Sequence, residues 1–302
     1  STTDANWVTI GSGAASTAWS NLSYTSAVFK DTYTLDNINN LPVSTGSLVI
    51  SGTSISNTSL QFQNIAVPYT LSGDGAAIIG ASSIALKSSG MVTFNMSGNT
   101  FTGGGLLEAG MLVIGGTSTL NGSTLQSGPL GTGTFTLSPS SAGLTLAANS
   151  AAGTLYNAFV LGGAGSVSFA GVGTSAIVFG GTTSNAFTLN ASPVFSVAAG
   201  TTATIKMNLL QSTGTLTLTK SGTGVLELGG SNTFSGATTV SEGVLRLLNT
   251  GTSLVGSTLA STVLTVSSGA TAEFNGNQTF TSVLANGSLN LASAGTLAVG
   301  SL

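Results

Sequence analysis

The sequence predicts an all-β fold, a parallel β-helix (β-solenoid) with coils of about 19–23 residues. Short apolar–polar–apolar units such as Leu226-Glu227-Leu228 recur along the chain, and each is typical of a short strand with one buried face. Glycine, asparagine and serine separate these units. Leu226, Leu245 and Leu264 each begin a unit and are equally spaced along the chain, which favours stacked coils.

Composition supports this prediction and excludes several kinds of chemistry. Of 302 residues, 41% are hydrophobic, which is too many for a disordered chain, while 43 glycines interrupt any long helix. Histidine and cysteine are absent, so zinc sites built on them, disulfides, histidine catalysis and cysteine nucleophiles are excluded. The chain has only five Lys and Arg residues and a net charge of −3, so the sequence does not predict a basic surface for binding nucleic acid.

The N-terminal segment, residues 1–45, differs in composition from the rest of the chain. It contains both tryptophans, Trp7 and Trp19, and a strand-like stretch Trp7-Val8-Thr9-Ile10. It is predicted to be a cap over the first coil or a segment that joins subunits. In the second case its candidate interface residues are Trp7, Val8, Ile10 and Trp19.

Residues 46–302 are predicted to form the solenoid, which contains a duplicated module at 87–114 and 220–247. Asn99-Thr100-Phe101-Thr102-Gly103 matches Asn232-Thr233-Phe234-Ser235-Gly236 at an offset of 133 in the numbering. Further matches at the same offset pair Gly110 with Gly243 and Leu112 with Leu245. A repeat of this length without a gap indicates several duplicated coils.

Residues 216–247 resemble the autotransporter-associated β-strand repeat, whose pattern is roughly LTKxGxGxLxLxGxNTYxGxTxVxxGxLxL, with Phe234 in the usual tyrosine position. Residues 87–114 resemble a decayed copy of the same repeat. The resemblance implies a bacterial parallel β-helix that is extracellular or on the cell surface. It implies neither catalytic residues nor a cofactor, because the repeat is a scaffold module.

Few charged residues stand out in the predicted solenoid. Glu227 and Arg246 are the middle residues of two units that lie one coil spacing apart, which predicts a cross-coil ion pair between adjacent strands. Lys87 and Lys220 are expected to be solvated turn residues.

No enzyme is predicted, although a glycan-active β-helix was considered as an alternative. Such enzymes use clustered carboxylates, and the closest acid pair here is Asp31 and Asp36, while Asp74 stands alone. Asp-x-Asp is absent, so no calcium loop and no metal site are predicted. The seven Asn-x-Ser/Thr sequons carry no glycosylation signal, because composition alone predicts about six.

The C-terminal strands are predicted to offer open β edges, with Leu289, Leu291, Leu297 and Val299 as candidate interface residues and no formal charge after Glu273. The function hypothesis is a secreted structural subunit that self-assembles head-to-tail, by addition of a donor strand, into an extracellular filament or sheath. The alternative is a monomeric surface adhesin or autotransporter passenger stalk. Expected partners are copies of the chain itself, with cell-surface or matrix glycans as further candidates. The longest apolar runs are short, as in Met111-Leu112-Val113-Ile114, so no membrane-spanning helix is expected.

Overall fold

The computed structural model describes residues 26–29, 32–35, 39–42, 46–51, 54–56, 59–149, 153–171, 176–248, 263–275, 277–291 and 296–301. The predicted interface residues Trp7, Val8, Ile10 and Trp19 lie outside these ranges. Within them the secondary structure consists of strands, most of which form parallel sheets, and contains no helix. The predicted β-solenoid is therefore confirmed.

The long sheet has 12 strands and contributes one strand to each coil. Its members are β4 (Gly46–Ser51), β7 (Tyr69–Asp74), β10 (Met91–Asn95), β12 (Gly110–Ile114), β16 (Leu144–Ala148), β19 (Gly165–Gly171), β22 (Pro193–Val197), β25 (Leu218–Ser221), β27 (Thr238–Val240), β29 (Val263–Val266), β31 (Gln278–Ala285) and β33 (Leu297–Ser301).

The N-terminal sheet has eight strands. They are β1 (Ser26–Phe29), β6 (Ser59–Phe62), β9 (Ser83–Leu86), β11 (Gly105–Leu107), β15 (Phe135–Leu137), β18 (Phe159–Leu161), β21 (Ala186–Leu189) and β24 (Asn208–Gln211). The pairing of β1 with β6 is parallel, so solenoid pairing already begins inside the segment 1–45 that composition sets apart.

The C-terminal sheet has seven strands. They are β17 (Thr154–Leu155), β20 (Ile177–Phe179), β23 (Thr202–Ile205), β26 (Val225–Leu228), β28 (Val244–Leu247), β30 (Thr271–Phe274) and β32 (Ser288–Leu291). The remaining strands form three pairs, of which β5 (Ile55–Ser56) with β8 (Ile78–Ile79) is parallel. The other two are antiparallel, β2 (Thr32–Leu35) with β3 (Asn39–Pro42) and β13 (Thr119–Asn121) with β14 (Thr124–Ser127).

Alternation along the strands produces a single narrow core. In β26 and β28 buried and half-buried residues alternate, so that Leu226 and Leu245 face inward and lie opposite each other on adjacent coils. Phenylalanines fill the middle of the solenoid, where Phe159 lies 5.2 Å from Phe179 and 5.8 Å from Phe187 between ring centroids. Stacking like side chains in rows buries apolar area on every coil, and this burial stabilises the fold.

Coil length varies more than the sequence predicts. The coil that pairs Val266 with Ala285 is short, whereas the coil that pairs Ile114 with Ala148 is much longer because the β13–β14 hairpin is inserted there. Leu264, the third member of the spacing series, lies in the long sheet and pairs with Thr238 rather than continuing the row of Leu245. Equal spacing along the chain therefore did not mean equal position on the solenoid.

The two copies of the duplicated module occupy different sheets. At the offset that relates the copies, β11 of the N-terminal sheet corresponds to β27 of the long sheet, and β12 of the long sheet corresponds to β28 of the C-terminal sheet. The second copy is thus rotated about the solenoid axis by one sheet relative to the first. Coils with three similar apolar rows permit this, because each sheet presents the same kind of inward surface.

A shared corner shows that both copies keep the same local structure. Asn99 Oδ1 accepts a hydrogen bond from Ile78 N at 2.9 Å, and Thr100 N donates to Ile78 O at 3.0 Å. In the second copy, the Leu209 amide and carbonyl are held in the same way by Asn232 and Thr233, at 3.0 and 2.9 Å. The asparagine side-chain oxygen therefore takes the place of a strand carbonyl as hydrogen-bond acceptor where the chain turns the corner.

Candidate functional site

Charged side chains form one row across the outer surface of the C-terminal sheet. The register aligns Thr204, Glu227, Arg246, Glu273 and Asn290 on five successive strands. Arg246 Nη1 lies 2.5 Å from Glu227 Oε1, and Arg246 Nε lies 2.6 Å from Glu273 Oε2. Glu227 and Arg246, which the coil spacing predicts to be neighbours, are thus joined, with Glu273 as a second partner that the sequence analysis missed.

This row, the Glu–Arg–Glu ladder, links strands β26, β28 and β30. Thr204 Oγ1 adds a hydrogen bond to Glu227 Oε2 at 2.8 Å. The hydrogen bond from Arg246 to Glu273 is the main cause that raises the pKa of Arg246 above its usual range, and desolvation opposes it. In the ladder one guanidinium therefore pairs with both carboxylates by charge-assisted hydrogen bonds.

The expectation that Lys220 is a solvated turn residue is wrong. Its side chain is fully buried on the inner side of β25, in the row of Phe195 and Val240. Its Nζ donates to the carbonyl oxygens of Ser221, Gly222 and Glu242 at 2.8, 2.6 and 3.1 Å. These bonds satisfy the ammonium, while burial lowers the pKa of Lys220 to about 8 against the opposing charge of Glu242.

The alternation of the strand contained the signal for this placement. In Leu216-Thr217-Leu218-Thr219-Lys220 the lysine has the parity of the leucines and therefore belongs to the inner face. Lys87, its counterpart in the first copy, follows β9 and is exposed, as expected.

A shallow open groove of about 480 Å³ lies where the C-terminal and N-terminal sheets meet. Its lining includes Tyr156, Thr182, Lys206 and Asn208. Lys206 is exposed and makes no ion pair with any residue of the described ranges. An aromatic ring, an ammonium and an amide are thus gathered on one surface, which spacing in the sequence did not reveal.

The C-terminal edge consists of β32 and β33, the last strands of their sheets. Leu289 pairs with Ala272 and Val299 with Phe280, both of which are fully buried, yet Leu289 and Val299 are only half-buried. Leu297 is also half-buried, and Leu291 is 48% exposed. These four predicted interface residues therefore occupy an edge at which the apolar core is incompletely covered by the described residues.

Among the described residues, no three Asp or Glu side chains are grouped closely enough to hold a metal ion. The same part of the chain contains no helix that is long and apolar enough to cross a membrane.

Comparison with known families identifies two segments. Residues 87–114 and 218–247 match the model of the passenger-associated-transport-repeat, the segments in which the duplicated module was found. Comparisons with curated proteins and with solved structures find no match. Two segments of the chain are therefore similar to the passenger-associated transport repeat, which is consistent with a repeat family of the autotransporter-passenger type.

Proposed function

We propose that the chain is a secreted structural subunit that assembles head-to-tail into an extracellular filament or sheath. The observation that supports it best is the C-terminal edge, where β32 and β33 are the last described strands of two sheets. The repeat supports the coarser part of the proposal, because passenger repeats imply a bacterial surface or secreted protein.

The edge has the properties of an acceptor for a further strand. An unpaired parallel edge presents backbone amides and carbonyls to an incoming strand. Pairing there would also cover Leu289, Leu291 and Val299, whose inward-row neighbours on earlier coils are fully buried. The residues of β32 and β33 carry no formal charge, so like charges on these strands do not oppose the approach of a second chain.

The proposed donor is the N-terminal segment of another copy. Trp7-Val8-Thr9-Ile10 alternates so that Val8 and Ile10 share one face, and this face would cover the open core. The donor and the acceptor are different surfaces of the subunit, so the contact between subunits is heterologous. When subunits stack along one axis, such a contact repeats indefinitely and gives an open fibre rather than a closed ring.

Negative-stain electron microscopy of the purified chain tests assembly directly. Wild-type protein should form fibres many subunits long. A variant with Val8→Lys and Ile10→Lys should give separate rods of about 60 Å, the length of 12 strands at the ordinary strand spacing.

Trp7→Lys with Thr9→Lys is the matched control, because it adds the same two charges on the other face of the donor strand. It should leave the fibres intact. Separate rods in the wild type, or fibres that persist in the Val8→Lys, Ile10→Lys variant, would contradict strand donation.

A monomeric adhesin or passenger stalk is the second candidate, and the repeat match favours it. In this role the solenoid holds a surface away from the cell. The groove at Tyr156 and Lys206 would contact cell-surface or matrix glycans, since its ring, ammonium and amide can stack on and hydrogen-bond a saccharide. Wild-type rods that stay separate in the microscopy experiment would support this candidate over the filament.

A further inference from the structure

The positions of the Asn-x-Ser/Thr sequons carry information that their number does not. Five sequon asparagines have described side chains, and all five are exposed: Asn95, Asn121, Asn190, Asn277 and Asn286. Of the nine other asparagines with described side chains, only Asn208 and Asn290 are exposed. Exposure therefore follows the sequon rather than the residue type.

Hydrogen bonding by the side-chain amide nitrogen also differs between the two groups. Among the described residues, none of the five sequon asparagines donates a hydrogen bond from Nδ2, although Asn95 and Asn277 accept bonds at Oδ1. By contrast, the buried Asn64 and Asn157 donate from Nδ2 to backbone carbonyls. Asn99, Asn149 and Asn185 also donate from Nδ2. Five of the nine other described asparagines thus use the atom that glycosylation modifies, whereas the sequon asparagines leave it available.

The five residues lie at the ends of strands rather than on the sheet surfaces. Asn95 and Asn121 are the last residues of β10 and β13, and Asn190 and Asn286 directly follow β21 and β31. Asn277 directly precedes β31. A large group attached at these corners leaves the flat outer faces of the sheets uncovered.

The low charge of the chain gives such groups a physical role. No charged residue lies between Glu108 and Lys206, a long stretch that includes Asn121 and Asn190. Net charge normally keeps protein surfaces apart, and N-linked saccharides are bulky, hydrated groups that do the same without charge.

We propose that the exposed sequon asparagines are N-glycosylation sites. The donor class is a saccharide linked through its anomeric carbon to a lipid diphosphate. A bond forms between Nδ2 and that carbon while the bond from the carbon to the diphosphate oxygen breaks. The amide nitrogen loses one proton, and the lipid diphosphate leaves with the bonding electron pair.

Peptide mass spectrometry of the protein isolated from its producing cells tests the proposal. A protease that cleaves at apolar residues is needed, because the chain has only five Lys and Arg residues. Saccharide should be found on Asn95, Asn121, Asn190, Asn277 and Asn286 and be absent from Asn208 and Asn290. Five unmodified sequons, or equal modification of Asn208 and Asn290, would overturn it.

A paired substitution at the hairpin separates the sequon from local structure. Ser123→Ala removes the sequon hydroxyl beside Asn121, whereas Thr124→Ala removes an equally exposed neighbouring hydroxyl and leaves the sequon intact. Ser123→Ala should abolish modification of Asn121 alone, and Thr124→Ala should retain it. The outcome is independent of fibre formation, so this proposal and the filament proposal can fail separately.

Discussion

Lys220 and Lys87 show at the scale of single residues that equivalent repeat positions can have opposite environments. Lys220 is buried and holds three carbonyl oxygens, whereas Lys87 is exposed. The difference arises because the inward row falls on Leu218 and Lys220 in the second copy but on Ile84 and Leu86 in the first. A one-residue change in strand phase moves a side chain to the other face.

Lys220→Met should lower the free energy of unfolding by about 2–4 kcal/mol at pH 7, because three carbonyl oxygens lose their donor. Lys87→Met, the matched control, should change it by less than about 0.5 kcal/mol. Urea unfolding followed by circular dichroism measures both.

The pH dependence of the Lys220→Met effect follows from burial. The pKa of Lys220 is lowered from 10.5 to about 8, so between these values the unfolded chain binds more protons than the folded one. Wild-type stability should therefore rise with pH in this window, and the deficit of Lys220→Met should grow. A deficit that shrinks between pH 8 and 10.5 would show that the charged ammonium is the form the fold prefers.

At the scale of elements, the Glu–Arg–Glu ladder joins three strands of the C-terminal sheet. Arg246→Met should lower the free energy of unfolding by about 1–2 kcal/mol, because two partly buried charge-assisted contacts are lost and Glu227 and Glu273 remain without a cation. Chemical unfolding at low and at high salt measures the loss.

Arg246→Lys is the control for charge, since it keeps the cation but not the two-sided geometry of Nε and Nη1. It should recover part of the stability. Equal unfolding energies for all three proteins would show that the ladder contributes nothing to the fold.

The corner made by Asn99 and Thr100, and again by Asn232 and Thr233, explains why the sequence revealed the repeat so clearly. The Oδ1 atom of each asparagine accepts a hydrogen bond from a main-chain amide of the preceding coil. The residue type at this position is therefore determined by a single local hydrogen bond. Gly110 and Gly243 are fixed likewise, with φ of 88° and 63°. Which sheet holds each copy is instead set by the summed lengths of all preceding coils. The pattern of residues within one copy does not reveal that total length.

At the scale of the whole molecule, neighbouring coils share one continuous core, so the position of a cavity along the axis should matter. Phe159, in the middle, lies within 6.2 Å of the ring centroids of Phe135, Phe179 and Phe187. Phe159→Ala should lower the free energy of unfolding by about 3–5 kcal/mol. Hydrogen exchange should then increase in coils on both sides of the substitution.

Phe280→Ala tests the same loss near the C-terminal edge, where Phe280 packs on Phe274 at 6.1 Å between ring centroids. Exchange should increase in β31 and β33 and remain unchanged around Phe159. A uniform increase along the chain in this variant would indicate a single cooperative unit rather than coupling between neighbouring coils.

The sequence predicted the solenoid, the inward rows and the neighbouring positions of Glu227 and Arg246, because these depend on alternation and on one coil spacing. It did not predict the burial of Lys220, the second partner Glu273 or the groove at Tyr156. The burial of Lys220 follows from the alternation of its own strand. The contact of Arg246 with Glu273 and the groove at Tyr156 instead join residues of different coils, whose separation along the chain depends on connections of variable length. Contacts between neighbouring units at one coil spacing can be predicted from local sequence. Predicting contacts between different sheets requires the length of every intervening connection.

The one-sheet rotation between the two module copies has a consequence for how such chains change in length. The same segment can be accommodated on different sides of this solenoid. Insertions into the chain and deletions from it therefore need not comprise whole turns. Gain or loss of a single strand and corner passes the downstream segments to the next side, where an equivalent apolar row receives them. Lineages carrying this repeat should therefore differ in length by strand-sized steps, with the outward residues of a shared segment displayed in different directions.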